Sequence, residues 1–534
     1  MQGRANALTS KIAALAVAAV VAAAGSLAPR TASAANELAE AARSGDTAAV
    51  LAALEQAPDV NAPGADGTPP LHWLVHRSDL PGARAVLDAG ADPSLASRYG
   101  VLPLLLAAQQ GNAEMIRLLV GAGAAPNAAA ANGETMLMAA IDAGSLAAVT
   151  ALRELGADVN ARDPQFRQSA LMFAARTGHS AILETLLAAG AELDAATRIG
   201  AEPQWILPNS RPGFSFGVGI IRGGLPEDRG MRPFRPGGMT ALLYAARNGH
   251  SGSAEVLLDA GADIELADAN GITPVLMAIS NNHLDTARAL IGRGAELNVQ
   301  DWYGRSPLWS AVNVRNLYLH NNTFEHVVER APLLDIITLL LERGADPNVR
   351  TRESPPVREH LLAITGTLEW VDFTGQTPFL TAALAGDVAV MRLLLQQGAD
   401  PHIPTFGGTT PLMAAAGVNW VVSQTYTESP ESLLEAVRLC IELGMDVNAV
   451  NSMGVRAIHG AVNRGSNDIV EVLVAEGARI DVVDNEGRTP LDWAQGVFLA
   501  THPAEPKPES IALIEQLLAA EGAAQTADGG SSSQ

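Results

Sequence analysis

The hydrophobic and polar residues of this chain alternate in blocks of about 33 residues, and residues 271–304 show one block clearly. An apolar run from Val275 to Ile279 follows Thr273-Pro274. This pair favours a helix start, because Thr accepts bonds from free N–H groups and Pro has no N–H to satisfy. A second run, Leu284 to Gly292, has its apolar residues at helical spacing. The block predicts helix, tight turn, helix, and then a polar hairpin that ends at Gly304.

A glycine recurs after the second helix of each block, usually before Ala and an acid. Such a glycine ends a helix in the left-handed conformation. A fixed period of this length predicts small units that bury their apolar faces by stacking on one another. The recurring glycines are Gly90, Gly123, Gly156, Gly190, Gly261, Gly294, Gly344, Gly398, Gly444 and Gly477.

The opening and closing motifs of the blocks resemble those of the ankyrin repeat. Thr410-Pro411-Leu412 and Thr489-Pro490-Leu491 open two blocks, and Gly156-Ala157-Asp158-Val159-Asn160 closes another. The resemblance extends over residues 35–524 and implies an all-α repeat solenoid of about 12 helix–turn–helix–hairpin units in a curved array. It also implies that hairpin tips and inner helices bind partner proteins.

Five insertions interrupt the array, near 201–238, 317–332, 353–375, 421–431 and 501–510. The first and third extend hairpin tips, and the other three lengthen the turn between the two helices of a unit. A polar tail, 525–534, is expected to be disordered.

Residues 1–34 differ from the array. Arg4 and Lys11 precede an apolar run from Ile12 to Ala28, and Ala32-Ser33-Ala34 offers a small-residue cleavage site. This order is typical of a secretory signal peptide, and the alternative is an uncleaved anchor helix. We therefore expect a periplasmic or secreted protein with no stable membrane insertion after cleavage.

The charge of the chain restricts its partners. The formal charge is −22, and removal of residues 1–34, with three basic residues and no acids, would make it −25. Because such a surface repels phosphate backbones, we do not expect a nucleic-acid partner. We expect a partner protein that has a basic patch. The lone Cys440 is interpreted as a small buried apolar side chain.

Aromatic residues occupy the hairpin tips, in the two positions before the residue that opens the next unit. Tips of a bare stack face solvent, so each ring is either covered by an insertion or available to a partner. This row is the main candidate for a partner-binding site: Tyr99, Phe166, Trp302, Tyr303, Phe373 and Phe406.

The insertion at 201–238 is the second candidate, because it combines aromatic and arginine residues, which are enriched at binding hot spots. The alternative is a Gly/Pro-rich loop packed on the stack. The candidate residues are Trp205, Phe214, Phe216, Arg222, Arg232 and Arg235.

Catalytic and metal motifs are weak, and we expect no enzyme, no cofactor and no metal. His72 and His76 have metal-ligand spacing, but Trp73 replaces the glutamate of a zinc-hydrolase helix and no third ligand is near. The string Gly213 to Gly217 matches a nucleophile elbow around Ser215, but the Gly- and Pro-rich residues after it predict no helix.

The sequence therefore predicts a non-enzymatic protein-interaction scaffold of the bacterial envelope. One alternative is a small-molecule or metal-binding accessory protein with His360, Trp370 and Trp420 around a pocket under the insertions. The other is a secreted effector directed at a host.

Overall fold

A computed structural model describes residues 35–200, 235–316, 330–352, 371–372, 374–420, 428–497 and 505–529. The chain divides into two compact units. Of the described residues, the first unit contains those up to Arg198 with Asp259–Ala262, and the second contains the remainder.

The first unit is built from paired short helices. Helices that open the pairs contact one another in sequence, α3 with α5, α5 with α7 and α7 with α9, and the second helices of the pairs stack in the same way. The helices are 35–44 (α1), Thr47–Leu54 (α2), Pro70–His76 (α3), Leu80–Asp88 (α4), Pro103–Gln109 (α5), Ala113–Gly121 (α6), Met136–Asp142 (α7), Leu146–Glu154 (α8), Ala170–Thr177 (α9) and Ser180–Ala188 (α10).

The second unit repeats this plan. Its helices are Ala241–Asn248 (α11), Ser251–Asp259 (α12), Pro274–Ser280 (α13), Leu284–Gly292 (α14), Pro307–Arg315 (α15), Arg330–Glu342 (α16), Pro378–Ala385 (α17), Val388–Gln396 (α18), Pro411–Ala416 (α19), Pro430–Glu442 (α20), Ala457–Arg464 (α21), Asn467–Ala475 (α22), Pro490–Gly496 (α23) and Pro508–Gly529 (α24). First helices contact first helices from α11 to α23, and second helices contact second helices from α14 to α24.

Taken two by two along the chain, the 24 helices of the described residues make 12 successive helix–turn–helix units, which confirms the predicted all-α repeat solenoid. Over the described residues there are no strands, only two isolated β-bridges. The tail differs from expectation, because α24 continues to Gly529 through part of the segment predicted to be disordered. Residues 530–534 lie outside the described part, as does the candidate signal peptide 1–34.

Threonine and serine caps start many of the first helices. Thr377 and Thr410, for example, accept hydrogen bonds from the backbone N–H three residues on, at 3.2 and 3.3 Å. Thr273 makes no such bond, and among the described residues no partner reaches its buried hydroxyl. Gly294 has φ +87°, as its position after the second helix predicts.

An asparagine clasp joins successive repeats. In one example, Asn448 Nδ2 donates to the carbonyl oxygen of Gly477 (2.8 Å), and its Oδ1 accepts from the backbone N–H of Arg479 (2.9 Å). Both groups of the amide side chain are therefore satisfied by the backbone of the next repeat. The same pair of bonds is made by Asn61, Asn127, Asn160, Asn298 and Asn348.

The acid two residues after the recurring glycine orients the clasp. Asp446 accepts from the N–H of Asn448 (2.8 Å), and Asp346 accepts from that of Asn348 (2.8 Å). Such a turn is a common local use of Asp. The acid of one repeat thus holds the asparagine that bonds to the next, which explains the recurring Gly-Ala-Asp followed by Asn.

A buried ion network lies at the base of two insertions. Asp387, 1% exposed, receives bonds from Arg315 (2.8 Å) and Arg330 (3.0 Å), and Arg330 also pairs with Glu428. Arg330 directly follows residues 317–329, and Glu428 directly follows residues 421–427. Because a buried carboxylate needs paired partners, this network fixes the described ends of both segments.

We expect Asn448→Ala to lower the free energy of unfolding by about 1–2 kcal/mol, because it removes two inter-repeat hydrogen bonds. Urea unfolding followed by circular dichroism measures this. Asn463→Ala is the control, since its side chain makes no hydrogen bond within the described residues, and it should not lower stability. Equal losses would contradict the role of the clasp.

Candidate functional site

The hairpin tips are four-residue turns that end in a glycine with positive φ, such as Asp301–Gly304 and Thr405–Gly408. We number their residues one to four. The second N–H of a tip donates to the third carbonyl of the preceding tip, as from Phe406 to Thr374 (2.8 Å) and from Trp302 to Asn270 (3.0 Å). In the first unit Arg198 donates in the same way to Phe166 (2.8 Å). These bonds hold neighbouring tips in a fixed register.

The second side chain of a tip lies against the glycine of the preceding tip. A Cβ on Gly375 would be 2.9 Å from Phe406, and one on Gly271 would be 3.2 Å from Trp302. An aromatic ring at this position therefore packs one face on backbone. Only glycine leaves room for it, and only glycine adopts this φ without strain.

The structure distinguishes among the predicted tip aromatics. Tyr99 and Phe166 in the first unit are 68% and 54% exposed, and Phe406 in the second unit is 48% exposed. Trp302 is half-buried, and Tyr303 is buried at 1% exposed. Tyr303 is therefore not accessible to a partner, unlike the other described tip rings. Phe373 lies outside the described residues.

Arginines stack on several of these rings, a pairing that the sequence analysis did not identify. Arg350 lies 4.2 Å from the ring centroid of Phe406, and Arg98 lies 4.5 Å from that of Tyr99. Arg350 also donates to the carbonyl oxygen of Pro404 (2.6 Å), and burial lowers its pKa. A stacked guanidinium keeps an aromatic ring oriented while one side of the pair faces solvent.

Two exposed apolar residues of the second unit were also missed. Val450 and Val483, 48% and 49% exposed, directly precede their tips. Nothing in the repeat pattern marks them, because the same position in other repeats holds polar or small residues such as Gln300 and Ala267.

Most of the second candidate set lies outside the described residues: Trp205, Phe214, Phe216, Arg222 and Arg232. Arg235 is described. Its backbone N–H donates to Asn270 Oδ1 (2.8 Å), and its guanidinium lies 6.0 Å from the ring centroid of Trp302. The end of the insertion is thus fixed to the neighbouring tip. Ser215, His360 and Trp370 are also outside the described part, whereas Trp420 is half-buried beside Arg464.

Titratable groups inside the array pack as core residues. His72 Nε2 donates to the Val101 carbonyl oxygen (2.9 Å), and burial lowers its pKa. His459 lies against Trp493, and burial lowers its pKa to about 4. Cys440 is buried, as predicted, and burial raises its pKa to about 12.

The described residues hold neither a cluster of metal-ligating side chains nor a membrane-spanning helix. No three His, Cys, Asp or Glu side chains there come together in a way that could hold a metal ion. No helix there is both long and apolar enough to cross a bilayer.

Known families match most of the array. The family described as "Ankyrin repeats (3 copies)" matches residues 71–163, 104–197, 242–351 and 428–497, and the single "Ankyrin repeat" matches 374–406. Together these ranges cover more than half of the chain. The chain belongs to the ankyrin-repeat family. Ankyrin repeats form protein-interaction scaffolds, and the fold is typically non-enzymatic.

The chain spans only a minor part of the length of the curated relatives that it matches. Human neurogenic locus notch homolog protein 1 is 29% identical over 180 residues, which are 32% of this chain and 6% of that protein. The B-cell lymphoma 3 protein homolog of Mus musculus is 29% identical over 197 residues, 33% of this chain and 41% of that one. The putative palmitoyltransferase ZDHHC13 of Danio rerio is 26% identical over 178 residues, 33% of this chain and 22% of that one.

Among solved structures, the ankyrin repeat domain of Bcl-3 is 21% identical, with a TM-score of 0.37, and the match covers 51% of this chain and 98% of that domain.

Two glycine-to-alanine substitutions test the contact between tips. Gly375→Ala should destabilise the protein more than Gly398→Ala. Both residues have similar φ, +82° and +86°, but only at Gly375 would a new Cβ meet other residues, the ring of Phe406 and the guanidinium of Arg350 that stacks on it. We expect backbone strain to lower the free energy of unfolding by roughly 1 kcal/mol in each variant. In Gly375→Ala the new contact should lower it further. Urea midpoints measure the difference, and equal midpoints would show that the ring does not pack on this glycine.

The buried histidine makes stability pH-dependent. The unfolded chain protonates His459 near its ordinary pKa of about 6.5, and the folded chain only near 4. The unfolded state therefore binds more protons between these values, and stability falls as pH falls through this window. Methionine is the residue at the equivalent position of α7 and α9. In His459→Met, the loss of unfolding free energy across this pH window should be smaller than in the wild type by up to about 3 kcal/mol.

The matched control for that measurement is His402→Gln, at an exposed histidine. Unfolding free energies at several pH values should keep the wild-type slope in this control. If His459→Met keeps that slope as well, burial of the imidazole does not set the acid sensitivity.

Proposed function

We propose that this chain is a non-enzymatic scaffold that binds a partner protein through its hairpin tips, and that it acts in the bacterial envelope or is secreted from it. One observation carries the proposal: Tyr99 and Phe166, large aromatic residues, are 68% and 54% exposed on tips whose backbone is held in place. Exposed rings of this size are typical of protein-binding surfaces. The N-terminal signal-like segment supports export.

The tips of the first unit suit binding without rearrangement. Phe166 follows Asp163, whose carboxylate accepts from three N–H groups of the turn, including that of Phe166 itself (2.7 Å). Arg98 bonds to the hydroxyl of Tyr99. Since the turn that carries Phe166 and the ring of Tyr99 are already held in place, little of their conformational entropy is lost when a partner covers them.

The acidic charge of the chain selects among partners. With a formal charge of −22, it attracts a protein that has a basic patch and repels acidic ones. Attraction of this kind is screened by salt, so binding to the partner is expected to weaken as ionic strength rises.

The first test is capture by the full chain from an envelope fraction, followed by affinity measurement with the purified partner. Tyr99→Ala with Phe166→Ala should weaken binding at least about tenfold, because truncated aromatic hot spots each cost about 1–2 kcal/mol. Phe406→Ala, measured separately, reports on the tips of the second unit.

Leu51→Ala with Leu146→Ala is the matched control, since these leucines are 48% and 41% exposed but lie on helices away from the tips. It should leave the affinity unchanged. A partner that binds the tip variants as tightly as the wild type, or equally well at low and high salt, would refute the proposed surface or the electrostatic selection.

A further inference from the structure

An open cleft of about 270 Å³ lies at the start of the first unit, between α1, the first tip and α3. Ala39 of α1 and Ala65 of the tip form its apolar part, and Trp73 of α3 forms a wall. Ligand pockets for small molecules are usually about 300–1,000 Å³. A cleft at the small end of that scale has room for one side chain of a polypeptide.

The small residues around the cleft keep it open. A Cβ on Gly64 would be 3.1 Å from the Cβ of Ala39, so a larger residue at either position would fill the space. The indole of Trp73 is half-buried and is held edge-on by His76, with the ring centroids 6.0 Å apart and the planes at 78°. The wall is therefore fixed in orientation while part of it stays accessible.

The charged groups of the cleft are Glu40, Arg43 and Asp66, which together carry one net negative charge. Arg43 bonds to Glu40, but both side chains are more than half exposed. An exposed pair of this kind contributes little to stability, so an incoming cation can compete for Glu40.

Asp66 is the more rigid acid. Its Oδ1 accepts from the backbone N–H of Thr68 (2.8 Å), and among the described residues no donor reaches its Oδ2. The carboxylate is thereby oriented with one oxygen available. Asp66 is also the third residue of the first tip, the position that Tyr99 holds on the next tip. The cleft therefore lies at one end of the tip row of this unit.

We propose that this cleft binds an arginine or lysine side chain of a partner polypeptide, with its cation between Asp66 and the indole of Trp73. A carboxylate beside an aromatic wall attracts a cation by a charge-assisted bond and by cation–π contact. The proposal rests on the proposed function only in taking the ligand to be a polypeptide. Its residues are different from Tyr99 and Phe166.

The test uses the full chain labelled with 5-fluorotryptophan, with the Trp73 fluorine resonance assigned from Trp73→Phe. The probe is the peptide acetyl-Gly-Arg-Gly-amide, and its neutral analogue carries citrulline in place of arginine. We expect a saturable shift of the Trp73 resonance with the arginine peptide and none with the citrulline peptide.

Asp66→Asn should weaken binding of the arginine peptide at least about fivefold. This variant keeps an oxygen for the Thr68 N–H, so the turn is retained. Asp158→Asn is the matched control, because Asp158 accepts from Asn160 (2.9 Å) in a similar turn and the charge change is the same. This control should bind within about twofold of wild type.

The cleft proposal is overturned if the arginine peptide leaves the Trp73 resonance unshifted, if citrulline shifts it equally, or if the two aspartate variants weaken binding alike. Tyr99→Ala with Phe166→Ala should not change binding of this peptide. The experiments therefore distinguish a failure of the proposed tip surface from a failure of the proposed cleft site.

Discussion

A side-chain amide that bonds to the backbone of the next repeat is the interaction on which this array depends. Helices of seven to nine residues, such as α3 and α4, are too short to be stable alone. They persist because neighbouring repeats bury their apolar faces. Apolar contact does not select one register, whereas the clasp does: Asn160 bonds only when Gly190 and Glu192 lie opposite its amide.

The tips acquire their geometry from that register. Once repeats are aligned, the second N–H of one tip reaches the third carbonyl of the preceding one, and the second side chain comes to lie on the preceding glycine. In this way Phe406 has one face on Gly375 and is still 48% exposed. The rings are oriented by the same constraints that hold the stack together, so the binding surface requires no separate scaffold.

Sequence reasoning predicted the repeat, its helices and its insertions because they depend on local chemistry: a capping Thr, a Pro at the helix start and a glycine of positive φ. It could not separate Tyr99 from Tyr303, since both precede a tip glycine and only packing between repeats buries the second. The stacking of Arg350 on Phe406 joins residues 56 positions apart, beyond the reach of any local pattern. The cleft beside Trp73 likewise combines a helix, a tip and a second helix.

Amide hydrogen exchange of the wild-type chain tests the central claim, because the array contains its own comparison. The N–H groups of Asp158, Asp400 and Arg479 donate to clasp asparagines. The equivalent N–H groups of Ala125 and Asp446 face repeats without a clasp, because Ser94 and His402 replace the asparagine there. In the described part of the chain, no acceptor is found for either N–H. If the asparagine clasp sets the register, the three clasped amides exchange much more slowly than these two. Equal exchange would show that apolar packing alone sets the register.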